Sequence, residues 1–359
     1  MASTFRELWL TVPEGPLTTG VGSLPQVSVD TSLQYAFRMS VPFLPQIPIK
    51  NPDEFMIPQA IAGLPGLHSP GKGEIALDFD QWKENFQKLQ EQLETAFQNA
   101  TSKKAFDPFQ PTDESYQCWR PFLWELADRK TKLAKIQLAG PLTSQWALRL
   151  TDGTPADRFP EIGMQIFRLV LARAIAMTRA VKETGATPLF FVDEPGFYCF
   201  SKQSPRHLIG LQELKIFIQS LQKEEALVGL HCCSNTDWKT ILSTGIDVLS
   251  IDTELSLNLL LKNTNEVRNY VTEGGRFSFG VIPTARGAAD LEAFDVDLAF
   301  EKFQTDWFDN GFQAEELKNI LKKSFLTPAC GLALHRVEDT EIIMGYQHEF
   351  ARLCESFIG

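Results

Sequence analysis

An α/β chain wound as repeated strand–helix units is what this sequence predicts, on three observations. Eight short runs rich in Val, Ile, Leu and Phe recur: Leu17 to Leu24, Val41 to Ile47, Leu133 to Ala139, Leu189 to Asp193, Leu227 to Cys233, Val248 to Asp252, Arg276 to Ile282 and Phe325 to Cys330. Amphipathic helical patterns separate most of them. Polar or Gly/Pro motifs stand at six of the eight run ends. Apolar runs suit parallel strands buried on both faces, and eight such units close a (β/α)8 TIM barrel.

The elements follow in order. The first run closes on Gly22-Ser23-Leu24-Pro25, which is turn chemistry at a strand end. The second, Val41 to Ile47, is followed by the one irregular interval, residues 50–132, too long for a single crossover. It reads as an elaborated insertion between strands 2 and 3, lying over the barrel mouth. Within it Asn51 to Phe79 is an excursion, and helices are expected near Asp80 to Asn99 and Glu114 to Arg129. The third run ends in Gly140-Pro141, the fourth in Asp193-Glu194-Pro195, the fifth in His231-Cys232-Cys233-Ser234. The sixth ends in Asp252-Thr253-Glu254 and the eighth in Ala329-Cys330-Gly331. Between them, helical patterns cover Glu161 to Thr184, Gln212 to Glu224 and Ala314 to Lys323. No repeat, low-complexity tract or linker divides the chain, so residues 1–359 are expected to form a single TIM-barrel catalytic domain.

Bulk composition excludes several functions. With 359 residues, 43% hydrophobic and 22% charged, the chain can bury a large core. A net charge of −11 and a pI near 5.1 argue against a phosphate-backbone binder, so no nucleic-acid partner is expected. The start, MASTFRELWLTVPEG, lacks a secretory signal, and no stretch is apolar enough to span a bilayer. A cytoplasmic protein without a membrane association is expected. Six cysteines are too few for a disulfide scaffold of this size. Cys118, Cys199 and Cys354 read as buried small apolar residues.

Chemistry in such a barrel gathers where strands end. Alternate residues of a strand share a face, so His231 and Cys233 point the same way and resemble half a zinc site. Cys232 points oppositely, into the layer between barrel and helices. His231 alone would read as a satisfied core histidine. Cys233 beside it and Cys330 on another strand end reverse that reading, and Asp247 to Glu254 adds carboxylates. Asp252 and Glu254 each have an alternative as a helix cap or solvated acid, and Gly22-Ser23 as a plain turn. Asp193 and Glu194 could cap the next helix, although Asp193 shares the mouth with the ligand candidates.

These motifs resemble the cobalamin-independent methionine synthases, specifically their C-terminal catalytic barrel, across nearly the whole chain. TTGVGSLP is similar to that family's Gly-Ser-Phe/Leu-Pro opening, LAGPLT to Thr-Gly-Pro-Val-Thr, and VDEP to Ile-Asp-Glu-Pro. HCCSN is similar to its His-x-Cys-x-Ser-Asn zinc strand, and PACGL to Asp-Cys-Gly-Leu. Pro42 to Gln46 looks like the short, stand-alone members of the wider family, which includes the uroporphyrinogen decarboxylase-like barrels. The resemblance implies that His231, Cys233 and Cys330 hold Zn2+ with a carboxylate, Asp252 or Glu254, nearby. It implies that Gly22 and Ser23 receive an amino-acid carboxylate and Asp193 its ammonium. Asp193 and Asp252 are the candidate catalytic acids. The expected activity is methyl transfer to a small thiol, homocysteine giving methionine, as in methionine biosynthesis.

Two departures matter. The chain has no room for the family's second barrel, which helps bind the folate donor, so the donor could instead be methylcobalamin, free or on a corrinoid protein. The family's His-containing loop after the seventh strand here reads Val281-Ile282-Pro283-Thr284-Ala285-Arg286. Thr284 and Arg286 could bind an anion. The alternatives are a methylcobamide:thiol methyltransferase of the coenzyme M type and a porphyrinogen decarboxylase. The latter needs several arginines near the first strand, where Arg38 stands alone between Gly20 and Arg120.

Overall fold

The computed structural model describes residues 8–10, 12–71, 74–285 and 287–359. Its frame is a curled, seven-stranded parallel sheet of α/β type. The strands are β1 (Leu17–Thr18), β4 (Leu133–Ala139), β5 (Thr187–Asp193), β6 (Leu227–Cys232), β7 (Val248–Asp252), β8 (Arg276–Ile282) and β9 (Phe325–Pro328), in the order β1-β9-β8-β7-β6-β5-β4. A separate antiparallel pair, β2 (Leu67–Gly71) and β3 (Glu74–Leu77), was not expected. Six of the eight predicted runs are strands at nearly the predicted places.

The other two differ for a physical reason. The first run is a strand only over Leu17–Thr18. Beyond it Gly22 takes φ +154° and packs so tightly on Gln137 that a Cβ would lie 2.5 Å from Nε2. The predicted strand Val41 to Ile47 makes only isolated parallel bridges, Ser23 with Gln46 and Phe43 with Lys135. Pro42 and Pro45 have no N–H to give a ladder. The tract still lies between the two sheet edges. Val41 N–H donates to Thr18 O (3.0 Å) and Gln46 N–H to Gly22 O (3.1 Å), while Leu44 N–H donates to Lys135 O (2.9 Å).

Helices cover the outer face. Pro160–Glu183 starts with Pro at its first turn, and Pro205–Lys223 is capped by Ser204, whose hydroxyl accepts from His207 N–H. The second helix starts seven residues before the predicted Gln212, set by Ser204 and Pro205; the exposed Leu208 and Ile209 blur the amphipathic pattern of its first turns. In residues 50–132, helices Phe79–Gln98 and Trp119–Asp128 are present. Phe79–Gln98 packs along the flanking helix Pro160–Glu183, where Trp82 Nε1 donates to Gln165 Oε1 at 2.8 Å. Strand β3 instead reaches the loop after helix Pro141–Ala147, Leu77 bridging Leu150.

Alternation divides the apolar core in two. Outward residues such as Ile136, Val192, Leu230, Ile251 and Phe279 join one large cluster with the helices, and Cys232 belongs to it. Inward residues Leu133, Leu189, Phe191, Leu227, Val248 and Phe325 form a second cluster at the strands' N-terminal end, packed by Leu8 and Trp9. Cys118 and Cys354 are buried as expected, but Cys199 is exposed, its Sγ donating to Gly196 O. Among the described residues, no helix is long and apolar enough to cross a membrane.

Candidate functional site

Above the apolar floor, the same inward positions turn polar. Register places Asp193 of β5 beside His231 of β6, His231 beside Ser250 of β7, and Ser250 beside Ser278 of β8. Cys233 follows the end of β6, and Cys330 lies in the loop after β9. The ligand atoms of His231, Cys233 and Cys330 all lie within 4.8 Å of one another. Two distant segments, the ends of β6 and β9, therefore converge because parallel strands deliver their C-terminal ends to one rim.

The ring of His231 is oriented from below. Its Nδ1 lies 2.9 Å from Ser250 Oγ, while Nε2 has no aligned hydrogen-bond partner. If Nδ1 carries the proton donated to Ser250, Nε2 presents a lone pair, the arrangement in which a second contact fixes a metal-binding imidazole. Burial works against a charge on His231, but the nearby Cys233 sulfur and the Asp193 carboxylate outweigh it and raise its pKa. The neighbouring Cys330 thiol, and after it the His231 imidazole, pull the Cys233 thiol down to about 4, and the closeness of Cys233 pushes Cys330 up. Of the two thiols, Cys233 is therefore the one that ionises first, while Cys330 keeps its proton beside it. A buried orphan imidazole nitrogen and two thiols suit zinc, which takes N and S ligands tetrahedrally and in catalytic sites keeps a position open.

The two acids of VDEP have different fates. Asp193 is buried, and its Oδ1 has no hydrogen-bond partner. Burial pushes its carboxyl up to about 6, held back by His231 and Lys135. Glu194, fully buried, accepts from Leu142 N–H (3.0 Å), Thr143 N–H (2.7 Å) and Thr143 Oγ1 (2.7 Å). It caps the helix Pro141–Ala147 rather than the one that follows it in sequence, and burial pushes it up to about 7. Gly140 is required here, since a Cβ would meet Glu194 Oε1 at 2.0 Å.

Asp252 and Glu254 are not in the cluster of three. Asp252 Oδ1 accepts Leu255 N–H at 3.1 Å and so caps helix Thr253–Leu261, and burial raises its pKa. Glu254 is exposed and lines a groove with Leu257, Pro283 and Lys302 outside the sheet. Ser23 is drawn to the rim: its carbonyl accepts Leu332 N–H at 2.8 Å, and its Oγ would lie 2.1 Å from a Cβ on Gly331, the residue after Cys330. Gly22 sits against Gln137 and Gln46. Thr284 O accepts from His335 Nε2 at 2.9 Å, so a histidine from the loop after β9 reaches the loop that lacked one. Arg286 lies outside the described residues.

Sequence reading missed Lys135, Gln137 and Ser250. Lys135 is 2% exposed inside the sheet, its Nζ donating to Val21 O (2.6 Å) and Gln137 Oε1 (3.1 Å) and lying 4.9 Å over the Phe191 ring. The signal was available: in LAKIQLA the polar residues stand at alternate positions of an apolar strand.

No family model matches the chain, and no curated protein does. Solved structures do. A methyltransferase from Methanosarcina mazei is similar over 97% of this chain and 98% of its own, at 11% identity and a TM-score of 0.56. A B12-independent methionine synthase from a Shewanella species, in complex with selenomethionine, covers 66% of this chain and 67% of its own, at 14% identity and a TM-score of 0.47. At such identity the end-to-end match shows a shared fold.

Proposed function

We propose that this chain is a zinc-dependent methyltransferase that moves a methyl group onto the sulfur of a small thiol, homocysteine being the acceptor and methionine the product. The observation that carries this is the convergence of one imidazole and two thiols at the strand ends. A fold shared end to end with a protein described as a methyltransferase supports it. His231, Cys233 and Cys330 would hold the ion. Bound there, a zinc with two thiolate donors favours a soft sulfur ligand over water and brings a thiol's proton off near neutral pH.

The chain's own residues do the rest. Asp193, buried and lacking a partner on Oδ1, would take the acceptor's ammonium. Ser23, against Gly331, and Gly22 before it would receive its carboxylate. Ser250 holds the imidazole of His231 in one orientation. The thiolate sulfur attacks the methyl carbon in line and the donor departs with the bonding electron pair. Methylcobalamin, free or on a corrinoid protein, is a donor whose departure needs no protonation, whereas a folate would need an acid. Thr284 remains a candidate contact for an anionic donor group, and Asp252 or Glu254 a carboxylate that approaches the metal only after a shift. We place the protein in the cytosol, where its free thiols stay reduced.

A methylcobamide transferase for a simple alkyl thiol would use the same metal without needing Asp193. The decarboxylase reading is disfavoured, because Arg38 is spent on Glu341 at 2.8 Å on the surface. Metal analysis with a zinc-edge spectrum tests the proposal. Adding homocysteine should bring a new sulfur into the zinc shell; an unchanged spectrum rules this acceptor out.

A further inference from the structure

We propose that Lys135 is a positioning residue of this site, a buried cation whose field weakens the hold on a metal ion and strengthens the hold on an incoming anionic sulfur. The inference rests on the function proposed above. Four observations carry it. Lys135 points inward from β4, in register with Leu189, four residues before Asp193 on β5, and is 2% exposed. It lines, with Asp193, His231 and Ser250, a space too narrow for a water molecule. Its Nζ hydrogen bonds go to two neutral oxygens, Val21 O and Gln137 Oε1, which do not cancel its charge, and although burial pulls the ammonium down to about 8, with Asp193 opposing, it stays charged at pH 7. The Phe191 ring, its centroid 4.9 Å from Nζ, favours a cation on its face.

A charge in a dry interior acts on everything that shares the space, with a sign set by Coulomb's law. A dication at His231, Cys233 and Cys330 is repelled by Lys135. A third thiolate arriving at that ion makes the cluster anionic and is attracted. The Asp193 carboxylate is favoured as the anion that an ammonium would need. The bond from Nζ to Val21 O also ties this charge to the segment bearing Gly22 and Ser23. Opposite signs for metal and thiolate separate an electrostatic role from packing, because loose packing would weaken both.

The test uses the full chain with Lys135→Met, Lys135→Gln as a second uncharged variant in case the first fails to fold, and Lys135→Arg to restore charge. Zinc affinity is measured at pH 7 by competition with a chromophoric chelator. Binding of homocysteine and of 2-mercaptoethanol to the zinc-loaded proteins is then measured by calorimetry. In the uncharged variants zinc affinity should rise about threefold or more and both thiols should bind about tenfold more weakly, with Lys135→Arg reversing both changes. A fall in both affinities, or no change in either, overturns the inference. Wild-type protein that takes zinc but neither thiol defeats the function proposed above and leaves the zinc measurement to decide Lys135. Wild-type protein that takes no zinc defeats both.

Discussion

The two ends of the sheet's inner face use the same strands for opposite purposes. At the N-terminal end Leu133, Leu189, Leu227, Val248 and Phe325 fill the interior with apolar side chains. Two residues further along each strand, or four, the inward positions hold Lys135, Gln137, Asp193, His231, Ser250, Ser278 and Thr327. The floor is close-packed and hydrophobic, so its contribution to stability is the ordinary one. The upper layer buries polar groups and leaves His231 Nε2, Asp193 Oδ1 and Ser278 Oγ without hydrogen-bond partners. Burying such groups unsatisfied costs free energy. On the sheet's inner face this cost falls at the rim end, where the ligand candidates gather above the apolar floor.

That contrast is open to attack by mutation. The largest effect is expected at the rim: His231→Ala or Cys330→Ser should remove bound zinc and lower methyl transfer by about a hundredfold or more, with little change in the melting temperature of the metal-free protein. Retained zinc in either variant, by metal analysis, would break the proposed division. Next comes the floor, where Leu189→Ala should destabilise by about 2–5 kcal/mol in denaturant unfolding. Zinc bound per folded molecule should not change, and a loss of zinc there would show the two layers to be one unit.

A smaller and more selective effect is expected from Asp193→Asn. The KM for homocysteine should rise about tenfold or more while turnover of 2-mercaptoethanol stays unchanged, because only the amino acid offers an ammonium to the carboxylate. Equal losses with both thiols would favour the alkyl-thiol reading.

The smallest effect concerns pH. Burial holds Glu194 near 7 and Asp247 near 6, both above the ordinary carboxylate range. At these two carboxyls the folded state therefore binds more protons than the unfolded one between about pH 4 and 7, so the stability they contribute is present below that window and is lost as pH rises through it. Glu194 sits at the rim end and Asp247 at the floor end, where its Oδ2 accepts Val228 N–H at 2.8 Å. Glu194→Gln and Asp247→Asn should each flatten the fall of unfolding free energy with pH, Glu194→Gln over the higher part of the window. A wild-type profile that rises from pH 5 to 7, with slopes unaltered in both variants, would show these carboxyls to be ionised throughout.

Much of this was legible from residue order. Six strands could be placed because Val, Ile, Leu and Phe crowd into runs of strand length, and His231 with Cys233 could be paired by period-two alternation alone. Other features were hidden for identifiable reasons. Pro42 and Pro45 sit in an apolar run that reads as a strand but has too few N–H donors to be one. Ser204 and Pro205 mark a helix start that the exposed Leu208 and Ile209 disguised. Glu194 reads equally well as a cap for the following helix, whereas its oxygens reach the start of helix Pro141–Ala147 through the pairing of β4 with β5. Cys199 looked like its buried namesakes, yet the turn Pro195–Cys199 turns it outward.

By itself the order of residues determined the α/β class, the inward and outward faces of each strand, and the donor types available for a metal. Which donors meet was decided by tertiary structure alone. Cys330 lies 97 residues from Cys233, and nothing local relates them until β6 and β9 take their places in one curled sheet. The same curl brought Ser23 against Gly331 and gathered Lys135, Asp193 and His231 around one space. Alternation is a property of one strand and survives in the sequence, whereas convergence depends on strand order, register and curl, which many distant contacts fix together.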